Sequence, residues 1–306
     1  MKKFLLSAFT VAATLSASAD YADFTKVLYL PMDEVGETLV NKAGEAAELV
    51  EGNGATAVEG MVNGGIQFDG KTYYAVPHSE ALTLGEKDWT IELIFKSVEG
   101  NLAGYAILFG CNSDEGDGIR NGDWVGIEFK NPNILFGTKG NGSKKEAGSP
   151  NLEEYLDNEW HHLVAVRDFT NTTIELYVDG VQLASRGQTA NLNTLTPCYV
   201  AANPSPTVIT STDPLTGCLD EVALFDGAMS MFDIEERYED LTTTGGINAA
   251  IASMENATVT VYNLNGVEVA SGKGNVDSLV NGLDKDLYVV VVSNGTAREV
   301  KKFIKK

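Results

Sequence analysis

The sequence predicts an all-β protein with a large domain followed by a small one. Many short segments alternate apolar and polar residues, the period of a strand buried on one side. Glycine accounts for 31 of the 306 residues, and Asp-Gly or Asn-Gly pairs separate several segments, as expected for tight turns. Beyond residue 242 a Thr/Gly-rich stretch precedes a second set of strand-like segments.

The clearest single strand is predicted from Trp89 to Phe95, where every second residue is apolar. A β-hairpin is predicted at 160–180, WHHLVAVRDFTNTTIELYVDG, because two apolar runs flank a polar turn and Asp179-Gly180 then leads into another strand. A second hairpin, between 65–68 and 73–76, is predicted across Asp69-Gly70.

One helix of about three turns is predicted over 231–241. Ser230 and Asp233 have the spacing of an N-cap and its acidic partner, and apolar residues then recur at helical spacing. The helix closes the large domain, so the predicted boundaries are 20–242 for the large domain, 243–256 for a linker and 257–306 for the small β domain.

The first residues, MKKFLLSAFTVAATLSASA, have the three parts of a secretory signal peptide: a basic start, an apolar run and a small-residue cleavage site. The apolar run is shorter than the ~20 residues of a membrane span, and no later segment suggests one. We therefore assign 1–19 to a signal peptide and expect a soluble exported protein that begins near Asp20.

The charge is distributed unevenly. The chain has a net charge of −21. Residues 256–306 contain seven Lys/Arg and five Asp/Glu, a net +2, so with Lys2 and Lys3 set aside residues 20–255 carry −25. A domain with this much negative charge would repel nucleic acid and anionic membranes, and we expect neither as a partner. It is compatible with calcium, which prefers oxygen ligands, or simply with solubility.

The chain has three cysteines, and export would permit disulfides. Cys198 and Cys218 lie on two strand-like segments joined by a loop, so a 198–218 bridge is a hypothesis if those strands pair. Cys111 is expected to be a small buried residue. Their spacing does not suggest a zinc site.

Three segments resemble the laminin-G-like, concanavalin A-like jelly rolls. They are the hairpin with its Leu-Tyr-Val-Asp-Gly end, the segment GGIQFDGKTYYAVP at 64–77, and GCLDEVALFDGAMS at 217–230. The resemblance covers about 24–242 and implies a two-sheet sandwich. It leaves the activity open, because that fold is shared by lectins, adhesion modules and hydrolases.

The tail resembles the C-terminal sorting domain of the type IX secretion pathway of Bacteroidetes. The matching pieces are Val-Tyr-Asn-x-x-Gly at 261–266, Gly-Leu ahead of Leu-Tyr-Val-Val at 282–290, and the basic end. Asp286-Leu287-Tyr288 departs from the Gly-x-Tyr of that domain. An ordinary small immunoglobulin-like β module is the alternative.

Catalytic motifs are not evident. Jelly-roll glycosidases often carry Glu-x-Asp-x-x-Glu on one strand, whereas Glu92 is alone on its strand. The adjacent pairs 33–34 and 220–221 should point to opposite faces of a strand. There is no Gly-x-Ser-x-Gly motif, and the tandem His161-His162 should diverge, with one ring packed under the sheet and the other exposed.

The resemblance implies one structural calcium ion between the loop after the first strand and the penultimate strand. This maps to Asp33 and Asp220, with Asn41 as a further ligand and carbonyls of 36–44 completing the site. Both aspartates are alternatively turn or edge residues.

Aromatic residues beside long loops are candidates for stacking on sugars. They are Tyr105, Trp124 and Tyr155, each with a core role as the alternative.

The function expected from the sequence is non-catalytic binding of a glycan outside the cell or at its surface. Retention in the periplasm or outer membrane is expected if the tail is not used for secretion. Two alternatives stay open: a glycoside hydrolase with an atypical carboxylate pair, and an adhesion or scaffold module that binds a surface protein.

Overall fold

The fold was obtained as a computed structural model that describes residues 24–43, 47–51, 54–97, 106–112, 123–191, 198–202, 215–254, 256–274, 276–284 and 286–305. The strands of the large domain are β1 Thr25–Leu30, β2 Thr38–Leu39, β3 Ala47–Glu51, β4 Thr56–Glu59, β5 Gly64–Asp69, β6 Tyr73–Val76, β7 Trp89–Lys96, β8 Ala106–Asn112, β9 Trp124–Lys130, β10 Asn133–Gly140, β11 Ser143–Ser149, β12 His161–Asp168, β13 Thr173–Val178, β14 Val181–Gly187, β15 Cys198–Val200 and β16 Thr216–Asp226. Short 3₁₀ helices span Glu80–Leu82 and Leu152–Tyr155.

These strands form two antiparallel sheets that pack face to face. The first has the order β14-β13-β12-β7-β16-β5-β4, with β1 also pairing with β16, and the second has the order β11-β10-β9-β8-β15-β6-β3-β2. The predicted all-β sandwich is therefore confirmed.

Alternating apolar residues of the two sheets meet in one core. Trp89 of β7 contacts Phe136 of β10, with ring centroids 5.9 Å apart, and Phe95 contacts Phe129 of β9 at 5.1 Å. The predicted hairpin at 160–180 is confirmed as β12 and β13, in which Leu163 pairs with Val178.

The predicted hairpin across Asp69-Gly70 is wrong. β5 pairs with β4 and β16 in the first sheet, whereas β6 pairs with β15 and β3 in the second. Asp69 accepts hydrogen bonds from the backbone of Lys71 and Thr72, both at 2.9 Å. The turn is thus a crossing between sheets, and local turn chemistry does not distinguish that from a hairpin.

The predicted disulfide between Cys198 and Cys218 is also wrong, since Cys111 is bonded to Cys198. β15 lies between β6 and β8, and its register places the two bonded residues directly opposite each other. Cys218 is on β16 in the other sheet and is a buried free thiol.

Helix α1, Met231–Ser253, begins at the predicted residue with the predicted capping box of Ser230 and Asp233. It runs twelve residues further than predicted, so most of the segment assigned to a linker, 243–256, is helical. The cause is tertiary packing, because Ile247 and Ile251 pack in the core of the small domain. Their burial overrides the low helix propensity of the Thr/Gly-rich stretch.

The small domain consists of strands β17 Thr258–Asn263, β18 Glu268–Gly272, β19 Asp286–Ser293 and β20 Arg298–Lys305, with helix α2 Val276–Val280. Its sheet order is β18-β17-β19-β20. In the described part of the chain, no helix has both the length and the apolarity required to cross a membrane.

Candidate functional site

The loop that follows β1 folds around a concavity of about 310 Å³. Met32, with φ of 59°, turns the chain at the start of this loop, and the Tyr74 hydroxyl donates to the Gly36 carbonyl at 3.0 Å to hold it on the sandwich. The lining is both apolar and polar: Pro31, Met32, Asp33, Glu34, Val35, Gly36, Thr38, Leu39, Val40 and Lys42.

The floor of the concavity is buried and its rim is exposed. Leu39 is 4% exposed, whereas Val40 is 70% and Val35 38% exposed. Apolar side chains at the rim of a concavity that also contains carboxylates and an ammonium group are typical of a binding site for a small polar molecule with an apolar face.

Asp33 and Asp220 converge on the turn between β4 and β5. The Gly64 N–H donates to Oδ1 of Asp33 at 3.2 Å, and the Val62 N–H donates to Oδ2 of Asp220 at 2.9 Å. A Cβ at Gly60 would lie 2.7 Å from Oδ2 of Asp220, so a glycine is required for this close approach. The two predicted aspartates are thus brought to one turn.

The carboxyl group of Asp220 is buried and only partly satisfied. Its Oδ1 has no hydrogen-bond partner. Burial raises the pKa of Asp220 to about 8, with the charges of Glu221 and Asp33 adding to the effect and the N–H groups of Val62 and Met61 opposing it. Oxygen atoms of two carboxyl groups are the ligand type that a hard cation prefers. Among the described residues, however, no group of three or more His, Cys, Asp or Glu side chains is placed to hold a metal ion.

Asn41 does not join this pair. Its Oδ1 accepts hydrogen bonds from the N–H groups of Tyr29 and Ala43, each at 2.9 Å. Both lone pairs of an amide oxygen are then used. The prediction that Asn41 is a metal ligand is therefore not supported, and Asn41 instead shapes the loop.

A β-bulge changes the expected geometry of Asp220 and Glu221. The pairing of β16 with β7 shifts register between Asp220 and Ala223, and Glu221 has φ of 50°. Asp220 pairs with Ile94, two residues from Glu92, so it lies on the same face of the sheet as Glu92. Glu221 is turned to that face as well, where it contacts Arg237, and the expectation that the pair diverges is wrong.

A buried ionic network lies between this face and α1. Nε of Arg237 donates to Glu92 at 2.9 Å, and Nε2 of His162 lies 2.8 Å from the same carboxylate oxygen. The Tyr29 hydroxyl donates to Glu221 at 3.0 Å, and Nη2 of Arg237 lies 3.7 Å from Glu221. Burial alone would raise the pKa of Glu92, but the charge of Arg237 and the hydrogen bond from His162 outweigh it and lower the pKa. Local sequence patterns do not reveal this network, because its hydrogen-bonded partners are up to 192 residues apart.

The two histidines diverge as expected, but both are buried. His161 lies between two carboxylates, with Nδ1 2.7 Å from Asp179 and Nε2 3.0 Å from Asp157. Burial lowers the pKa of His161, but the hydrogen bonds to Asp179 and Asp157 outweigh it and raise the pKa above its ordinary value. Tyr155 packs edge-on against the His161 ring at 5.2 Å.

The predicted aromatic platforms are not supported as exposed surfaces. Trp124 is 1% exposed, and a Cβ at Gly137 would lie 2.5 Å from its indole ring, so this ring covers Gly137 of β10. Tyr155 is half-buried against His161, and Tyr105 lies outside the described residues. The alternation of apolar and polar residues along β9 does not show whether an aromatic side chain is covered by a neighbouring strand.

The large domain is a two-sheet jelly-roll sandwich, and the loop after β1 lines a concavity at its edge. The chain belongs to the concanavalin A-like lectin/glucanases superfamily, whose family model matches residues 68–235, more than half of the chain. No match is found among curated proteins.

Several solved structures have a similar fold at low sequence identity. The binding domain of Paraclostridial mosquitocidal protein 1 is 14% identical, with a TM-score of 0.56 over 92% of this chain and 73% of that one. Domain 4 of AbnA, an extracellular arabinanase of Geobacillus stearothermophilus, in complex with arabinotriose, is 14% identical, with a TM-score of 0.53 over 70% of this chain and 98% of that one. The ligand-binding domain of botulinum neurotoxin serotype D in complex with N-acetylneuraminic acid is 12% identical, with a TM-score of 0.55 over 91% and 74%.

Proposed function

We propose that the large domain is a non-catalytic carbohydrate-binding module and that the loop concavity of residues 31–42 holds the sugar. The observation that carries the proposal is the mixed lining of that concavity, about 310 Å³ in volume, at the lower end of the ~300–1,000 Å³ of ligand sites. The sugar complexes of two structures with the same fold support the ligand class.

The chemistry of the lining suits a sugar ring. The C–H face of a pyranose or furanose would pack on Val35, Val40 and Leu39. Its hydroxyl groups would donate to the carboxylates of Asp33 and Glu34, as expected for charge-assisted hydrogen bonds.

Calcium is proposed as a structural aid at the same loop. Asp33 and Asp220 would hold the ion through their carboxylates, and the unpaired Oδ1 of Asp220 supports this assignment. A bound calcium ion would displace the proton of Asp220, stabilise the two carboxylates and fix the loop after β1 against the β4–β5 turn.

The non-catalytic part of the proposal is supported by the positions of two pairs of carboxylates among the described residues. Glu92 and Glu221 share Arg237 beneath α1, where a sugar chain has no access. In the cavity itself, Asp33 and Glu34 are sequence neighbours on one loop rather than groups on opposite sides of a substrate, as glycosidases require.

Export is part of the proposal and rests on the N-terminal pattern at 1–19. With the tail used as a sorting domain of the type IX kind, the protein would be outside the cell or on its surface. N-terminal sequencing of protein recovered from fractionated cells should give a mature chain that begins near Asp20. A retained Met1 in every fraction would contradict export.

A glycan array, which includes arabino-oligosaccharides and sialylated glycans, tests the ligand class. The wild-type protein should bind at least one glycan more strongly with calcium than with chelator. Val40→Asp, at the rim of the concavity, should abolish that binding. The matched control is Val181→Asp, because Val181 is comparably exposed at 62% but lies on β14, and it should bind as the wild type does.

A blank array would contradict the proposal and favour the adhesion alternative, provided that a surface protein is captured. Equal loss of binding in both valine variants would contradict the assignment of the site.

A further inference from the structure

Trp160 is the tryptophan of this chain that reaches the surface. The chain has three tryptophans, and all three lie in the part that the structure describes. Trp89 and Trp124 are each 1% exposed, whereas Trp160, the residue before β12, is only half-buried. An indole ring that keeps part of its surface in water on a rigid sandwich is available for contact with a ligand.

The ring of Trp160 lies over the outer face of the first sheet. Its far edge reaches β5, where a Cβ at Gly65 would lie 3.0 Å from the indole. Gly65 alternates with Ile66, which is in the core between the sheets, so Gly65 is on the outer face. The ammonium group of Lys96, at the end of β7, lies over the ring, 4.9 Å from its centroid. Because Lys96 extends from the sheet to one face of the ring and holds it there, the exposed surface of the indole is the opposite face.

Two consecutive glycines connect this ring to the loop concavity of residues 31–42. At Gly64, the residue before Gly65, a Cβ would lie 2.7 Å from the carbonyl oxygen of Asp33, and Asp33 lines the concavity. Consecutive Cα atoms are about 3.8 Å apart, so Trp160 and Asp33 both contact the first residues of β5. Glycine inside a strand marks a place where another group approaches closely, and a side chain at either glycine would displace one of these two neighbours.

The concavity reaches the same face of the sheet. Lys42 lines it, and the Lys42 ammonium group lies 5.8 Å from the centroid of the Tyr29 ring. Tyr29 packs against the cluster that contains Val164 and Phe225, on the outer face beneath α1. The concavity and the Trp160 ring are therefore neighbours along one surface, and a sugar ring in the concavity leaves the Trp160 ring uncovered.

We propose that Trp160 is a second sugar subsite, so that the ligand is a carbohydrate chain of at least two rings rather than a monosaccharide. This inference rests on the proposed sugar site in the concavity. One ring of the chain would lie in the concavity, and the next would stack its C–H face on the indole. The Lys96 ammonium group would donate to a hydroxyl or carboxylate group of that second ring.

Calorimetric titration with arabino-oligosaccharides and sialylated oligosaccharides of one to four rings, and with any other glycan that the array identifies, tests the chain length. For a series that the wild type binds, the Kd should decrease by at least about tenfold from one ring to two or three, the gain expected from one stacked aromatic contact. Trp160→Ala should remove this gain and leave the Kd of the monosaccharide unchanged, whereas Trp160→Phe should retain most of it. The matched control is Phe232→Ala, because Phe232 is 73% exposed but lies on α1, and it should retain the whole gain.

Quenching of tryptophan fluorescence by acrylamide tests the same contact without a substitution. Because Trp89 and Trp124 are buried, the quencher reports mainly on Trp160. A saturating trisaccharide of the bound series should protect the fluorescence from acrylamide, whereas the monosaccharide should not.

The outcomes separate the two proposals. A Kd that does not depend on chain length, or a bound trisaccharide that leaves the quenching unchanged, would overturn the Trp160 subsite and leave the sugar site in the concavity standing. Absence of binding to every sugar on the array and in the titrations would overturn both.

Discussion

At Asp220, burial and charge oppose each other. Its carboxyl group is buried, has an unpaired oxygen and faces Asp33 and Glu221. A cation beside it would replace the missing interactions, so binding to the folded state alone should stabilise the protein.

Calcium at a hundred-fold excess over its Kd should then raise the free energy of unfolding by about 2.7 kcal/mol. For a domain of this size that is a rise in Tm of roughly 5–10 °C, which calorimetry with calcium or chelator would detect. Asp220→Asn should abolish the calcium-dependent rise. Asp226→Asn, an exposed aspartate on the same strand, should retain it. A wild-type Tm that does not respond to calcium would exclude the site.

His161 should make stability depend on pH in a defined direction. The hydrogen bonds to Asp179 and Asp157 raise its folded pKa above the unfolded value, so the folded state binds the proton more tightly. The stabilisation is complete below the unfolded pKa of about 6.5 and is lost as the pH rises through the folded pKa.

The difference in unfolding free energy between the wild type and His161→Gln should therefore shrink between mildly acidic and alkaline pH in urea titrations. An NMR titration of the His161 ring should give a pKa above about 6.5. A value at or below it would show that burial outweighs the two carboxylates.

Helix α1 is attached to the first sheet by a buried charge as well as by apolar contacts. Met229 and Ile234 pack on Val164, Val166 and Phe225, and Arg237 neutralises Glu92 in the same interface. Removal of one member of a buried pair leaves an uncompensated charge, which is more costly than removal of both.

Arg237→Met should therefore destabilise the protein by about 3–5 kcal/mol, whereas Arg237→Met combined with Glu92→Gln should recover most of the loss. Urea unfolding of the three proteins provides the comparison. The contribution of an exposed ion pair is under about 1 kcal/mol. A decrease in unfolding free energy of that size in the single variant would show that the ion pair does not stabilise the packing of α1 on the sheet.

The disulfide connects two neighbouring strands of the second sheet, 87 residues apart in sequence. Replacement of Cys111 and Cys198 by Ser should lower the free energy of unfolding by about 2–5 kcal/mol. Cys218→Ser leaves the bridge intact and should not cause this loss. Mass mapping under non-reducing conditions should show Cys218 as the free thiol, and a peptide that links it to Cys198 would contradict the structure.

At the scale of the whole molecule, the parts of the fold that depend on local pattern were predictable. The period of two on Trp89 to Phe95 predicted β7, and the capping residues Ser230 and Asp233 predicted where α1 begins. Pairings between distant strands were not predictable, because turn chemistry at Asp69 is the same whether the next strand joins the same sheet or the opposite one. For the same reason the local pattern did not indicate the pairing of Cys111 with Cys198 or the burial of Trp124. Asp33 and Asp220 were indicated by the family resemblance, and the structure brings them to one turn, whereas their role as calcium ligands stays a prediction.

The boundary between the two domains follows from the packing of α1 rather than from composition. Ile247, Ile251 and Met254 of the helix end belong to the core of the small domain, so a fragment of residues 257–306 lacks part of its own core. That fragment should be unfolded by circular dichroism, while a fragment of 243–306 should melt cooperatively, because an uncovered sheet face rarely supports independent folding. The substitution Ile247→Asp in the longer fragment should abolish its melting transition, whereas the same change at exposed Leu264 should not. Cooperative melting of 257–306 would instead place the boundary at the end of α1 and show that the helix is dispensable for the tail.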